Sequence, residues 1–208
     1  MTIPQARQLG RRPLMNLVKF KGTPILQQLH LEERLLRNSS DNWCIINDGT
    51  NTPAIVMGLS GKSSELVEIR SVLRDQIPVI RRFTGGGTVI VDHGTIFVTF
   101  ICNKEAVPTV QPYPRSIMHW SSLLYNEARN HKEFLCGMKD YLPRSAFINK
   151  TVEAIENHFL TKPVNVDIDA VTSCTDYMHT TKLLSEQELE EACARGPSGE
   201  IPVSNLMI

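Results

Sequence analysis

The stretch RRFTGGGTVIV, Arg81 to Val91, sets three consecutive glycines between a basic pair and a β-branched run. Adjacent glycines carry a heavy entropic cost, so they persist where the backbone takes positive φ or where something approaches too closely for a Cβ. The flanking sequences VIRRFT and TVIVDHGTIFVTFICN are extended in character. Together they predict a meander: a strand, a glycine β-turn, a strand, a tight turn and a further strand. Lying between strands, the glycines cannot be a dinucleotide fingerprint, which must open a helix. Exposed N–H groups in such a turn form a concavity for an anion or a polarised carbonyl, and Arg81 or Arg82 adds a fixed charge; a phosphate or acyl phosphate suits it. A hairpin with solvated arginines is the plainer alternative.

Upstream, MNLVKF (Met15 to Phe20) reads as a strand, and Thr23 as the cap of a helix through Asn38 with Pro24 in its first turn. WCIIND and AIVMG are strands separated by a turn, and SELVEIRSVLRDQ is one helix capped by Ser63 or Ser64. Downstream, a helix from Arg115 carries Ile117, Trp120, Leu123 and Leu124 as its apolar stripe, and another spans about Ala146 to Leu160. PVNVDIDAV is a candidate strand. In SEQELEEACARG, Ser185 and Glu188 form a capping box and Gly196 a C-cap. The tail reads as unpacked. The fold class is therefore α+β, a mixed, largely antiparallel sheet flanked by helices. Residues 1–14 read as a flexible N-terminus, 15–181 as the main domain and 182–208 as a C-terminal helix and tail.

The 208 residues are 41% hydrophobic and carry 22 basic and 22 acidic side chains. This balance gives no global field toward nucleic acid or an anionic membrane. Cys44, Cys102, Cys136, Cys174 and Cys193 are five and widely spaced, which speaks against a disulfide framework or a zinc site. The histidines have no metal-ligand spacing, and only His93, beside Asp92, is adjacent to the candidate site. No apolar run reaches the roughly 18 residues of a membrane span. GLSGKSS imitates a phosphate-binding loop, but Gly58 and Gly61 enclose two residues where a Walker loop needs four. Lys62 reads as an exposed lysine at a helix start.

Arg81, Arg82, Thr84, Gly85, Gly86, Gly87, Val89, Asp92 and Gly94 together resemble the signature of the lipoate-protein ligases. LHLEERLLR is similar to that family's first helix, AIVMG to the strand entering its acyl pocket, and RNHKEFLCGMKDYLPR to a segment near the end of its catalytic domain. The resemblance implies the class II synthetase-like biotin/lipoate ligase catalytic fold, here incomplete. It further implies attachment of a lipoyl or octanoyl group to a lysine of a lipoyl carrier domain through an acyl-adenylate. ATP and lipoate or octanoate would be substrates, Mg2+ would come with ATP, and no cofactor would be tightly bound. The partners would be lipoyl domains of 2-oxoacid dehydrogenases or the glycine cleavage H protein, with no nucleic acid or membrane, on a monomer. The compartment would be cytoplasmic or, alternatively, mitochondrial. By the same resemblance Arg81, Arg82, Thr84 and Gly85 to Gly87 cover the acyl carbonyl and adenylate phosphate, and Asp92 and Gly94 line the nucleotide side.

The departures are specific. Val91 precedes Asp92 where family members have His, and Thr95 follows Gly94 where they have Asn. The family's Gly-x-Lys-x-x-Gly motif is missing: YNEA runs straight into RNHKEF, and the nearest imitation, Gly137-Met138-Lys139, has Leu142 at the second glycine. The chain thus reads as a shortened or degenerate member, its catalytic domain (15–181) cut short after about 128, with an alternative product of a longer gene as one origin and with no identified catalytic lysine. A variant that only binds the acyl ligand or the carrier, and a plain α/β domain with a structural glycine hairpin, are the competing readings. A biotin ligase would carry an R-G-R-G signature, which is absent.

Overall fold

The computed structural model describes residues 12–128, 143–172 and 177–195. The expectations placed on residues 1–11, His131, Cys136, Lys139, Cys174, Gly196 and the tail lie outside them, as does nearly all of RNHKEFLCGMKDYLPR. The elements in chain order are β1 (Leu14–Gly22), α1 (Ile25–Asn38), β2 (Trp43–Thr50), β3 (Ala54–Met57), α2 (Ser63–Leu66), α3 (Ile69–Arg74), β4 (Val79–Arg81), β5 (Val89–Val91) and β6 (Ile96–Ile101). They continue with α4 (Pro114–Ala128), α5 (Arg144–His158), β7 (Leu160–Pro163), α6 (Ile168–Thr172), β8 (Lys182–Leu183) and α7 (Glu186–Arg195). This is a mixed α+β architecture with two four-stranded sheets, ordered β6-β2-β1-β7 and β5-β3-β4-β8. Two compact units share the chain: the described parts of Met1–Lys19, Ser40–Ile46 and Val98–Asn165, and those of Phe20–Ser39, Asn47–Phe97 and Val166–Ile208.

In the first unit, β1 pairs in parallel with β7, Leu14 opposite Leu160 through Leu17 opposite Pro163. Helices α4 and α5 pack together. Trp120 of α4 meets Phe100 and Phe159 edge-on, at 5.5 and 6.4 Å between ring centroids, an arrangement the aromatic quadrupole favours. The expected α4 stripe is only partly inward, with Leu124 buried and Ile117 and Leu123 exposed.

The second unit holds the glycine stretch, and its sheet corrects the expected meander. β4 and β5 do not pair with each other; both flank β3, β4 in parallel (Ile55 opposite Val79) and β5 antiparallel (Ile55 opposite Ile90). β3, α2, α3 and β4 form the crossover unit that parallel neighbours require. The glycines therefore arch over the end of β3 and are no hairpin turn, while β6 belongs to the other sheet. Period-two alternation splits the strand residues between two cores. Ile55, Met57 and Val79 join Ile69, Val72, Leu184 and Leu189, whereas Ala54, Val56, Ile80 and Val91 meet Ile25 and Leu29 of α1.

Four local expectations change, each for a visible reason. Pro24, with no side-chain cap, occupies the N-cap of α1. Thr23 is instead held at both backbone groups by Asn47, which accepts its N–H at 3.3 Å and donates to its carbonyl at 2.9 Å. The single helix expected over residues 64–76 breaks at Val67 and Glu68, where Val67 turns extended and packs on the first core. Lys62 stands at the α2 N-cap, and Ser63 is a buried first helical residue. The strand expected over PVNVDIDAV lies just upstream instead, as LTKP of β7. Downstream of it, the Asp167 carboxylate accepts the N–H groups of Asp169 and Ala170 at 3.1 and 3.2 Å and starts α6. The capping box of α7 forms as expected: the Ser185 N–H donates to Glu188 Oε2 at 2.9 Å and the Glu188 N–H to Ser185 Oγ at 3.2 Å.

Candidate functional site

The glycine arch leaves β4 at Arg82 and enters β5 at Val89, at the carboxyl ends of the parallel strands β3 and β4. That end of a parallel pair is where open α/β sheets place ligands. Arg82 braces the arch from inside, Nε and Nη2 donating to the Gly85 carbonyl at 3.2 and 2.8 Å and Nη2 to that of Gly87 at 3.3 Å. The Leu59 N–H donates to the Thr84 carbonyl at 2.9 Å, and the Phe83 N–H to Thr181 Oγ1 at 3.1 Å.

The three glycines are not equivalent. Gly86 has φ +109°, and a Cβ there would lie 2.4 Å from Arg82 Nη2. A Cβ on Gly85 or Gly87 would meet nothing within 4 Å. The protein's own packing thus demands one glycine, and the other two present bare backbone to open space. Gly58 is the partner that sequence reasoning missed: a Cβ there would stand 2.3 Å from the Gly86 carbonyl oxygen. The final residue of AIVMG is therefore the seat of the arch. Its signal was a glycine directly after a four-residue buried strand.

Arg81 is half-buried at the end of β4, donating from Nη1 to the Gly61 carbonyl at 2.7 Å and to that of Leu59 at 3.1 Å. It lines a cavity of about 700 Å³ with Ser60 to Ser64, Lys182, Leu184, Glu188, Glu191 and Ala192. The imitation phosphate loop is thus one wall of a polar cavity that Arg81 shares. Lys62 pairs with Glu65 at 3.0 Å and Lys182 with Glu188, so each lysine has a carboxylate. The cavity wall includes none of Gly85 to Gly87.

Asp92 closes the turn into β6, accepting the Gly94 N–H at 2.8 Å and the Thr95 hydroxyl at 3.1 Å. The Gly94 N–H, then the Thr95 hydroxyl, hold its carboxyl below the ordinary carboxylate range. The Asp92 N–H also donates to Thr95 Oγ1 at 3.2 Å, so Thr95 completes the turn. Cys44 and Cys102 offer no thiolate: burial pushes Cys102 up to about 11 and Cys44 well above its ordinary value. Among the described residues no group of three His, Cys, Asp or Glu side chains could hold a metal ion.

Residues 24–135 match the family model described as the lipoyl protein ligase A/B catalytic domain. An inactive lipoate–protein ligase 2 of Plasmodium falciparum is 28% identical over 96 residues, 45% of this chain and 24% of that protein. Curated relatives are matched over only 24% to 31% of their length. A lipoate-protein ligase A bound with ATP superposes with a TM-score of 0.59 at 10% identity, over 77% of this chain and 92% of that one. A bipartite lipoate protein ligase studied with its E2 lipoyl domain from Thermoplasma acidophilum also gives 0.59 at 10%, over 77% and 90%. At these identities the two structures establish the fold alone.

Proposed function

Because the chain belongs to the lipoyl protein ligase A/B catalytic domain family, we propose that it handles a lipoyl or octanoyl group as its acyl-adenylate and passes it to the lysine of a lipoyl carrier domain. The observation that carries this reading is the unfilled space above Gly85 and Gly87, beside an adjacent glycine that the fold itself requires. An acyl-adenylate sets one anionic phosphate beside one carbonyl, and glycine amides can approach both without side-chain collision. Arg81 would add fixed positive charge from the cavity wall, and the magnesium nucleotide would arrive as substrate. The partner would be the lipoyl domain of a 2-oxoacid dehydrogenase or the glycine cleavage H protein. The ATP-bound neighbour and the neighbour studied with its lipoyl domain support both expectations by fold likeness.

A second reading is favoured by one specific feature. With Gly-x-Lys-x-x-Gly missing and both cavity lysines paired to glutamates, the chain binds the acyl ligand or the carrier without transferring. Losing one electrostatic stabiliser of the transition state costs about 10²-fold or more in rate. Single-turnover transfer separates the readings: the chain is mixed with ATP, Mg2+, lipoate or octanoate and a lipoyl domain, and the intact mass of the carrier is read. An increase of one acyl group supports transfer. No increase, with a lipoate-dependent rise in melting temperature, supports binding alone. The absence of both removes the proposal.

A further inference from the structure

Thr181 is 2% exposed, and its polar groups are shared between α1 and the entry of the arch. Its N–H donates to Glu33 Oε2 at 2.9 Å, its carbonyl oxygen lies 3.1 Å from His30 Nε2, and its hydroxyl accepts the Phe83 N–H at 3.1 Å. Glu33 lies wholly inside α1, on the same buried face as Leu29. Its other oxygen accepts the Thr180 N–H at 2.8 Å, and Arg37 approaches that oxygen at 3.1 Å. A carboxylate fully buried and turned on two consecutive backbone amides fixes their chain segment, because releasing the segment would leave the buried charge without its donors. The fixed segment continues directly into β8, which pairs with β4. Phe83 is the second residue before the glycines, so one hydroxyl joins the α1 carboxylate to the entry of the arch.

Beside this clamp, the His179 ring stacks on His30 at 4.0 Å and meets Tyr177 edge-on at 4.7 Å. Both His179 ring nitrogens and the Tyr177 hydroxyl are buried and have no hydrogen-bond partner among the described residues. Among the described residues, the charged and titratable groups facing His179 are His30, Glu33 and Arg34 of α1, together with Tyr177 of its own segment, and Arg37 stands on the far oxygen of Glu33. Glu33 Oε2 stands 3.8 Å from His179 Nδ1.

From this geometry we infer that Glu33 is a positioning residue for the glycine arch, acting through Thr181, and that protonation of His179 releases it. The inference rests on the arch being the ligand site for its functional meaning, but not for its test. Burial, with help from His30 and Arg34 and against the pull of Glu33, holds His179 below its ordinary value of 6.5. The released segment therefore takes up a proton more readily than the closed one. Closure is at full strength above about pH 6.5 and weakens as pH falls from there toward the lower value of the closed state. Burial would raise the Glu33 carboxyl, but the Thr181 and Thr180 N–H groups, joined by the two threonine side chains, outweigh it and hold it below 4.5. Glu33 thus stays ionised in mild acid, and the window belongs to His179.

The test is backbone hydrogen exchange on the full chain without ligand, corrected for intrinsic rates, near pH 7.5 and pH 5.5. Residues 80–88 and 177–184 are followed as two peptides. In the native chain both exchange about tenfold or more faster at the lower pH, and together. Thr181→Val keeps the backbone amide for Glu33 and loses the hydroxyl, so 80–88 opens at pH 7.5 while 177–184 stays protected; Thr181→Ser keeps a hydroxyl and restores the protection of 80–88. Glu33→Gln opens both at either pH, and His179→Phe keeps the ring stack and holds both closed at pH 5.5. The inference is overturned if Thr181→Val leaves 80–88 protected, if Thr181→Ser does not restore it, or if His179→Phe opens with acid as the native chain does. Because the readout uses neither ATP nor acyl group, a failed acyl-transfer assay would remove the proposed function and leave this coupling standing.

Discussion

At the scale of single residues, the arch turns on which glycine the fold needs. Gly86→Ala puts a Cβ at positive φ and against Arg82 Nη2. It should cost about 1–3 kcal/mol in urea unfolding. Gly85→Ala and Gly87→Ala, with open space around the new methyl, should stay within about 0.5 kcal/mol of the native chain. If the open space is the ligand's, the same two variants lose the lipoate-dependent rise in melting temperature while Gly86→Ala loses folding stability first. The glycine triplet and Arg82 stand out in the sequence as a candidate site, but the difference among the glycines does not. It depends on Gly58 and the Arg82 guanidinium, which meet the triplet only after β3 and β4 lie side by side. Glu33 and Thr181 were illegible for the same reason, being 148 residues apart. The only local hint was a glutamate on the apolar face of α1.

Among the elements, α1, α5 and strands β1 to β3 could be read because burial imposes period on sequence. The meander was misread because period reports what a strand faces and says nothing of which strand lies beside it. Both sides of GGG are strands, as expected, yet β3 stands between them. β8 has two residues, too few for a pattern, and α6 was masked by an apolar run whose helix start depends on Asp167. The capping box of α7, by contrast, is wholly local. Ser185→Ala should remove about 1 kcal/mol of stability, measured by urea unfolding and accompanied by fraying of α7 in hydrogen exchange. On the edge strand β5, Ile90 is 75% exposed and Val89 45%. Ile90→Lys should lower self-association in light scattering with no loss of melting temperature, as charges on edge strands do.

For the molecule as a whole, the depressed His179 and Glu33 values predict acid sensitivity in two stages. Unfolding free energy should decline as pH falls below about 6.5, where His179 must take up a proton, and again below about 4.5, where Glu33 does. His179→Phe should flatten the first stage in urea titrations at successive pH values and leave the second. Both sheets are also closed by strands from late in the chain: Arg81 pairs with Lys182 and Leu14 with Leu160. During synthesis at roughly 5–20 residues per second, the outer edge of β4 waits on the order of 5–20 s for its partner to be made. For that interval the ribosome-bound chain offers an open strand beside a half-built arch. A chaperone meeting the nascent protein would meet that edge before it met a finished site.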